Sequence, residues 1–247
     1  SPVGWLAAVV AVYLLSYVLV KRKSSSSLPV HRGSSTQTTN RVLLITAHPD
    51  DEAMFFVPLL IACNQQRIPV TILCLSTGNF AGLGEVRTRE FSASCKLLEA
   101  ECELVNDAEL ADGPWSWSSD VVSRHVSQAV KRIKPSVVVT FDGRGVSGHL
   151  NHISVFQGVR DWNQRQNPDR IAAFSLASET LLIKYLGPLS SLVCSRSATL
   201  RLYNTDLGPV WRAMRAHQSQ FVWFRQLFVL FSKYSFVNEL VPFPDSE

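Results

Sequence analysis

The sequence predicts an α/β fold, a mostly parallel sheet with helices on both faces, preceded by one N-terminal transmembrane helix. Three observations carry this. Short apolar runs alternate with helix-length stretches, the pattern of βαβ units. An uncharged stretch of 18 residues opens the chain, from Val3 to Val20. With 247 residues, 46% apolar and 18% charged, the chain can bury a full core and is too apolar to be disordered.

The first element, VGWLAAVVAVYLLSYVLV, would reach about 27 Å as a helix, against about 30 Å of bilayer hydrocarbon. The basic Lys21-Arg22-Lys23 follows it and no A-x-A-like site is evident, unlike a signal peptide. It is apolar all round, unlike the amphipathic helix of a soluble core. We therefore expect an anchor at 3–20, with the basic cluster and all that follows on the cytosolic side. Residues 21–40, basic and then Ser/Thr-rich, read as a flexible tether, and 41–247 as the folded domain. Five cysteines, at 63, 74, 95, 102 and 194, have no metal-like spacing and are expected as reduced thiols. The net charge of +4 is carried by Lys21, Arg22, Lys23 and Arg32, since the other 20 basic residues balance 20 acidic ones. A formally neutral domain argues against a nucleic-acid partner.

Within the domain, Val42 to Ala47 is the first strand, followed by a helix from Glu52 to about Gln66. Val70 to Leu75 is a second strand, Gly84 to Ala100 a helix, Glu103 to Asn106 a third possible strand, and Ser118 to Ile133 a helix. Ser136 to Phe141 reads as the central strand and Ile171 to Ala177 as another. Ligands of such sheets bind beyond the strands' carboxyl ends, and the chemically loaded residues fall there. No G-x-G-x-x-G follows the first strand, so dinucleotide binding has no support.

His48-Pro49-Asp50-Asp51-Glu52 marks the first strand-to-helix turn. Alone it is equally a set of acids at the positive end of a helix. After the strand ending at Phe141 comes Asp142-Gly-Arg-Gly-Val-Ser-Gly-His149-Leu-Asn-His152. A helix starting near His149 would set both imidazoles on one face. Two acid/His clusters at two strand ends of one sheet point to a metal site, where a catalytic Zn²⁺ typically takes three protein ligands and leaves a place for water.

AHPDDEAMFF at 47–56, with TFDGRGVSGHLNH at 140–152, resembles the LmbE-like, or PIG-L, family of zinc-dependent de-N-acetylases. GEVRTREF at 84–91 and HQSQFVWFRQLFVLFSKY at 217–234 belong to the same resemblance, which covers residue 41 to the C-terminus. It implies a Rossmann-like sheet and a Zn²⁺ cofactor (or another divalent metal) on His48, Asp51 and His152. Asp50 would be the general base, and His149 would face the substrate carbonyl, stabilising the oxyanion if protonated. The implied reaction is hydrolysis of the acetamide of an N-acetylglucosamine linked to phosphatidylinositol, in glycosylphosphatidylinositol (GPI) anchor synthesis. That sets the protein in the endoplasmic reticulum membrane, single-pass, facing the cytosol, with a lipid-linked substrate. A deacetylase for another N-acetylglucosaminyl conjugate is the alternative enzyme. A catalytically inactive glycolipid-binding subunit is the alternative from another class, against which the intact Asp50 argues. Where bacterial relatives often read His-Pro-Asp-His, this chain has His149-Leu150-Asn151-His152, and Asp142 is a candidate replacement for the missing acid.

Arg87 and Glu90, three apart on a helix, are either a surface pair or, for Arg87, a substrate contact. Asn79, Asp107 and Asp142 are further candidate substrate contacts. His31 and His125 read as solvated residues, and Glu52 as a first-turn helix residue. Residues 221–236 hold seven aromatics, and no acid occurs from Gly208 to Asn238. A helix around 211–236 is expected at a membrane interface, with Trp223, Phe224, Phe228 and Phe231 as contacts; a core helix with two snorkelling cations is the competing reading. Leu181 to Val193 is a second candidate patch.

Overall fold

The structure, a computed structural model, describes residues 2–30, 40–167, 171–193, 195 and 197–243. The first helix, α1, spans Pro2–Val20. The domain then runs β1 (Val42–Thr46), α2 (Asp51–Phe55), α3 (Val57–Gln65), β2 (Val70–Cys74), α4 (Gly84–Leu97) and β3 (Glu101–Leu104). It continues with α5 (Ser119–Ile133), β4 (Val137–Phe141), the short α6 (Gly145–Gly148), α7 (Leu150–Arg165), β5 (Ala172–Leu176) and α8 (Leu181–Lys184). Last come β6 (Leu200–Tyr203), α9 (Leu207–Ala216), α10 (Trp223–Phe231) and β7 (Val237–Pro242).

These strands form one sheet in the order β3-β2-β1-β4-β5-β7-β6. The first five pair in parallel, with Val42 beside both Val70 and Val137. β1, β2 and β4 are buried along their whole length, which is why they are continuous apolar runs with no alternation. α5 is amphipathic instead, burying Val121, Val122, Val126 and Ala129 and ending on Lys134 at φ 51°.

Four expectations are corrected. The helix expected over 52–66 is two: Phe56 donates its N–H to the Glu52 carbonyl, closing α2, and Pro58 in the first turn restarts the chain as α3. The helix around 211–236 is likewise α9 and α10. Between them Ser219 donates its N–H (2.7 Å) and its hydroxyl (2.6 Å) to Glu90, so Glu90 binds the turn and not Arg87. β6 and β7 were not expected. They are short, carry Arg201, Asn238 and Glu239 among their apolar residues, and add to the sheet antiparallel. Finally, Cys95 and Cys102, with Cα atoms 6.3 Å apart across the turn from α4 to β3, form a disulfide. Cys63 and Cys74 are free and buried, and Cys194 lies outside the described residues.

Among the described residues, no helix is long and apolar enough to cross a membrane. The second half of α1 docks on the domain. Tyr13 donates its hydroxyl to the Leu230 carbonyl (2.8 Å) and Tyr17 to that of Thr205 (3.0 Å). Val20 is buried with Tyr203 and Val237. The first part of the tether is held too: the hydroxyl oxygens of Ser25 and Ser26 accept the N–H groups of Tyr203 and Arg201 at the free edge of β6. His31 and Arg32 lie outside the described residues.

Candidate active site

The site lies at the carboxyl ends of β1 and β4, neighbours at the point where the strand order reverses, as open α/β sheets favour. The turn after β1 delivers His48, Asp50 and Asp51. The loop after β4 delivers His152 on the first turn of α7, with His149 as the residue that caps it.

Asp51 is the centre of the cluster. Its Oδ2 accepts the N–H groups of Ala47 (3.0 Å) and His48 (2.8 Å), and its Oδ1 lies 3.1 Å from His152 Nε2. Burial raises its pKa, but the facing imidazoles of His152 and His48 and the His48 N–H outweigh that and hold it well below the usual carboxylate range. His152 Nδ1 faces the Gly145 carbonyl at 3.1 Å and donates to it, which leaves the lone pair on Nε2. That Nε2 is buried and makes no hydrogen bond among the described residues. His48 Nε2 lies 3.0 Å from both Asn151 Oδ1 and Asp112 Oδ1, so it is the donor and Nδ1 is the free nitrogen, 3.8 Å from Asp51. His48, His149 and His152 each offer a ligand atom within 4.8 Å of the others. An imidazole lone pair held without a partner beside a carboxylate is what a divalent cation requires, so this donor set fits a divalent metal ion.

His149 is not an imidazolium. Its Nδ1 accepts the Asn151 N–H at 3.3 Å, and burial together with the facing His48 and His152 pushes its pKa down to about 4. It is a neutral ring with its proton on Nε2. Asp142 does not support it either. That carboxylate accepts the Ser178 N–H (2.8 Å), the Ser178 hydroxyl and the Arg144 N–H, and so ties the loop after β4 to the end of β5.

Asp50 sits at φ 113°, strained for any residue but glycine. Glu52 holds it there. Glu52 Oε2 accepts the Asp50 N–H (3.1 Å), while Oε1 accepts from Ser94 and His217, each at 2.6 Å. Both members of the Glu52–His217 pair are completely buried, so Glu52 is more than a first-turn acid. The Asp50 side chain faces two guanidiniums: Arg225 donates to its Oδ2, and Arg87 Nη2 is 3.5 Å away. Arg87 is itself buried and pinned by the carbonyls of Pro49 (2.7 Å) and Gly78 (3.0 Å). Gly78 has φ 67°, and a Cβ there would meet the Arg87 guanidinium at 2.6 Å.

A cavity of about 340 Å³ reaches this cluster through Asp112, with Thr77, Asn79, Phe80, Asp107 and Trp115 also in its wall. Asn79 and Asp107 thus lie where a ligand can touch them, although both have local work. Asn79 accepts the Gly84 N–H (2.8 Å), and Asp107 pairs with His125 at 2.9 Å, so His125 is not simply solvated. Of the expected membrane contacts, Trp223 is 71% exposed, Phe224 54% and Phe231 41%. Phe228 is only 7% exposed and packs on Phe55, so it belongs to the core.

Sequence reasoning missed Asp112, Asn151 as a His48 partner, the Glu52–His217–Ser94 network, and Arg225. Asp112 stands alone in an irregular segment, and nothing in its neighbours' spacing marks it. His217 and Arg225 carried a signal, since both fall in the 217–234 stretch on which the resemblance rests.

The family model described as PIG-L: GlcNAc-PI de-N-acetylase matches residues 43–163. N-acetylglucosaminyl-phosphatidylinositol de-N-acetylase of Bos taurus is 37% identical over 209 residues, 81% of this chain and 83% of its own. The probable enzyme of that name from Schizosaccharomyces pombe is 32% identical, with 96% and 98% covered. Among solved structures, the N,N'-diacetylchitobiose deacetylase of Pyrococcus horikoshii superposes with a TM-score of 0.62 at 15% identity, covering 83% of this chain and 84% of its own. A deacetylase triple mutant from the teicoplanin biosynthetic pathway gives 0.58 at 15% identity, covering 83% and 100%. At such identities the likeness is one of fold.

Proposed function

The chain belongs to the PIG-L family of de-N-acetylases, and from that membership we propose that it hydrolyses the acetamide of N-acetylglucosaminyl-phosphatidylinositol, releasing acetate in GPI-anchor synthesis. The observation that carries the site reading is His152 Nε2, buried without a hydrogen bond and 3.1 Å from Asp51.

In this reading His48, Asp51 and His152 hold Zn²⁺, whose role when bound is to polarise the acetamide carbonyl and make a water at the site more acidic. Asp50 accepts that water's proton and returns one to the departing amine. Glu52 and His217 keep the Asp50 backbone in its strained turn, so the carboxylate is aimed before substrate arrives. His149, neutral, donates its Nε2–H to the carbonyl oxygen as charge gathers there. This replaces the imidazolium role and needs no acid at position 151. The cavity beside Asp112 has room for the sugar.

The same reading sets the enzyme in the endoplasmic reticulum membrane, anchored by α1 with its domain toward the cytosol. Lys21-Arg22-Lys23 behind an apolar helix and the exposed side chains of α10 support it. The Cys95–Cys102 disulfide is the observation that opposes a reducing compartment.

The test is acetate release by the purified full chain from the lipid substrate, before and after chelation and with zinc restored. We expect activity to vanish with chelator and return with metal. We also expect His152→Ala to bind no stoichiometric zinc; full zinc in that protein would overturn the ligand set.

A further inference from the structure

Arg225 stands between two surfaces of different chemistry. It lies on the first turn of α10, whose neighbouring Trp223, Phe224 and Leu227 are exposed. Its guanidinium turns the other way and donates to Asp50 Oδ2, its one side-chain partner among the described residues. Arg87 meets the same oxygen, but Arg87 is buried and fixed by two backbone carbonyls. One carboxylate oxygen therefore faces two cations, of which only Arg225 sits on a surface element and has no second anchor. No acidic residue lies between Gly208 and Asn238 to hold it elsewhere. A guanidinium is a planar fork whose bidentate anionic partners are carboxylates and phosphates. A helix with exposed aromatics rests at headgroup depth, where phosphates are.

We propose that Arg225 is a specificity residue that receives the phosphodiester of the lipid-linked substrate, exchanging Asp50 for that phosphate when substrate enters. The inference rests on the proposed de-N-acetylase activity and names which part of the substrate this chain reads besides its sugar. Exchange also frees one Asp50 oxygen of a donor while Arg87 stays beside it. The phosphodiester is the substrate's own, and phosphate of the surrounding membrane is the competing source.

Three assay conditions separate these: N-acetylglucosaminyl-inositol, its water-soluble glycerophosphodiester, and the first compound with phosphatidylcholine vesicles added. For the full chain in detergent, kcat/KM should be roughly ten- to a hundred-fold higher on the phosphodiester than on the phosphate-free compound, the worth of a charge-assisted contact. Arg225→Gln should bring that ratio near one, mainly through KM, and Arg225→Lys should restore part of it. A ratio unaffected by Arg225→Gln at an unchanged melting temperature overturns the proposal, as does vesicle stimulation of the phosphate-free substrate that disappears in Arg225→Gln. Binding of glycerophosphoinositol by calorimetry gives a readout independent of turnover. Wild type should bind it about ten-fold or more tightly than Arg225→Gln, and equal affinity overturns the proposal. If wild type deacetylates nothing yet shows that difference, the activity reading fails and the Arg225 assignment stands.

Discussion

At the scale of single residues, the site divides labour between two adjacent carboxylates. Asp51 is enclosed by His48, His152 and two backbone N–H groups, while Asp50 faces guanidiniums. Replacing Asp50 with Asn keeps the shape and removes the proposed proton acceptor. Zinc content should be unchanged while kcat falls by about 10²–10⁴-fold; near-normal turnover would put the base elsewhere. His149 makes a separate prediction in the metal-free protein. Its folded pKa is about 4 against an ordinary 6.5, so between those values the unfolded chain binds the extra proton. The stability this group contributes is complete above pH 6.5 and lost as pH falls toward 4. His48 and His217 are shifted upward despite burial, by Asp112 with Asp51 and by Glu52, so their contributions change only as pH rises above 6.5. Asp51 and Asp112 are shifted down from 3.8 and act below this window. Denaturant unfolding at pH 7 and pH 4.5 should therefore show an acid loss that His149→Gln reduces; an equal loss in both proteins would refute the neutral ring.

At the scale of elements, α10 is half core and half surface. Phe228 and Val229 face inward, Trp223, Phe224, Leu227 and Phe231 outward. Neither the interfacial nor the core reading of this stretch was complete, because both treated it as one helix with one role. Replacing Trp223, Phe224 and Phe231 together with Ser should leave the melting temperature nearly unchanged, weaken binding to anionic vesicles, and spare turnover of a water-soluble substrate. Phe228→Ala should instead cost about 3–5 kcal/mol of stability, the usual loss for a buried aromatic. Vesicle binding undiminished in the triple variant would move the lipid-facing surface to Leu181 and Leu182, both exposed on α8. The parallel strands were legible because burial on both faces writes them as uninterrupted apolar runs, VLLIT, VTILC and VVVTF. The antiparallel edge was not, since Arg201 and Glu239 pair with each other across β6 and β7 and interrupt the apolar signal. His48, Asp51, His149 and His152 were legible because they cluster at two strand ends. The pairing of Arg225 with Asp50 was not, although Arg225 lies in the 217–234 stretch, because 175 residues separate the two and only the folded sheet brings α10 over β1.

At the scale of the whole molecule, the two halves of α1 differ in what they meet. Its first half carries exposed apolar side chains, among them Trp5 and Val10. Its second half is bound by Tyr13 to Leu230 at the end of α10, and by Tyr17 and Val20 to the β6–β7 edge. α1 and α10 therefore meet at the surface proposed to contact lipid. Tyr13 and Phe231 touch edge to face at 5.9 Å, and Gly187 (φ 55°) lets the chain pass with its Cα side against the Tyr13 ring. An anchor joined only by a loose tether would leave the domain indifferent to its removal. A docked anchor would not, because deletion exposes Tyr203, Val237 and the end of α10 and strands the carbonyl of Leu230 at a newly opened apolar face. Two truncations separate the halves. Removing residues 1–10 should weaken membrane retention and leave the melting temperature of the domain unchanged. Removing residues 1–23 should lower the melting temperature as well, and should reduce the affinity of what remains for lipid substrate more than its affinity for a soluble analogue, since α10 loses its neighbour while the histidine cluster is untouched. Equal melting temperatures for the two truncations would show that α1 contributes attachment alone.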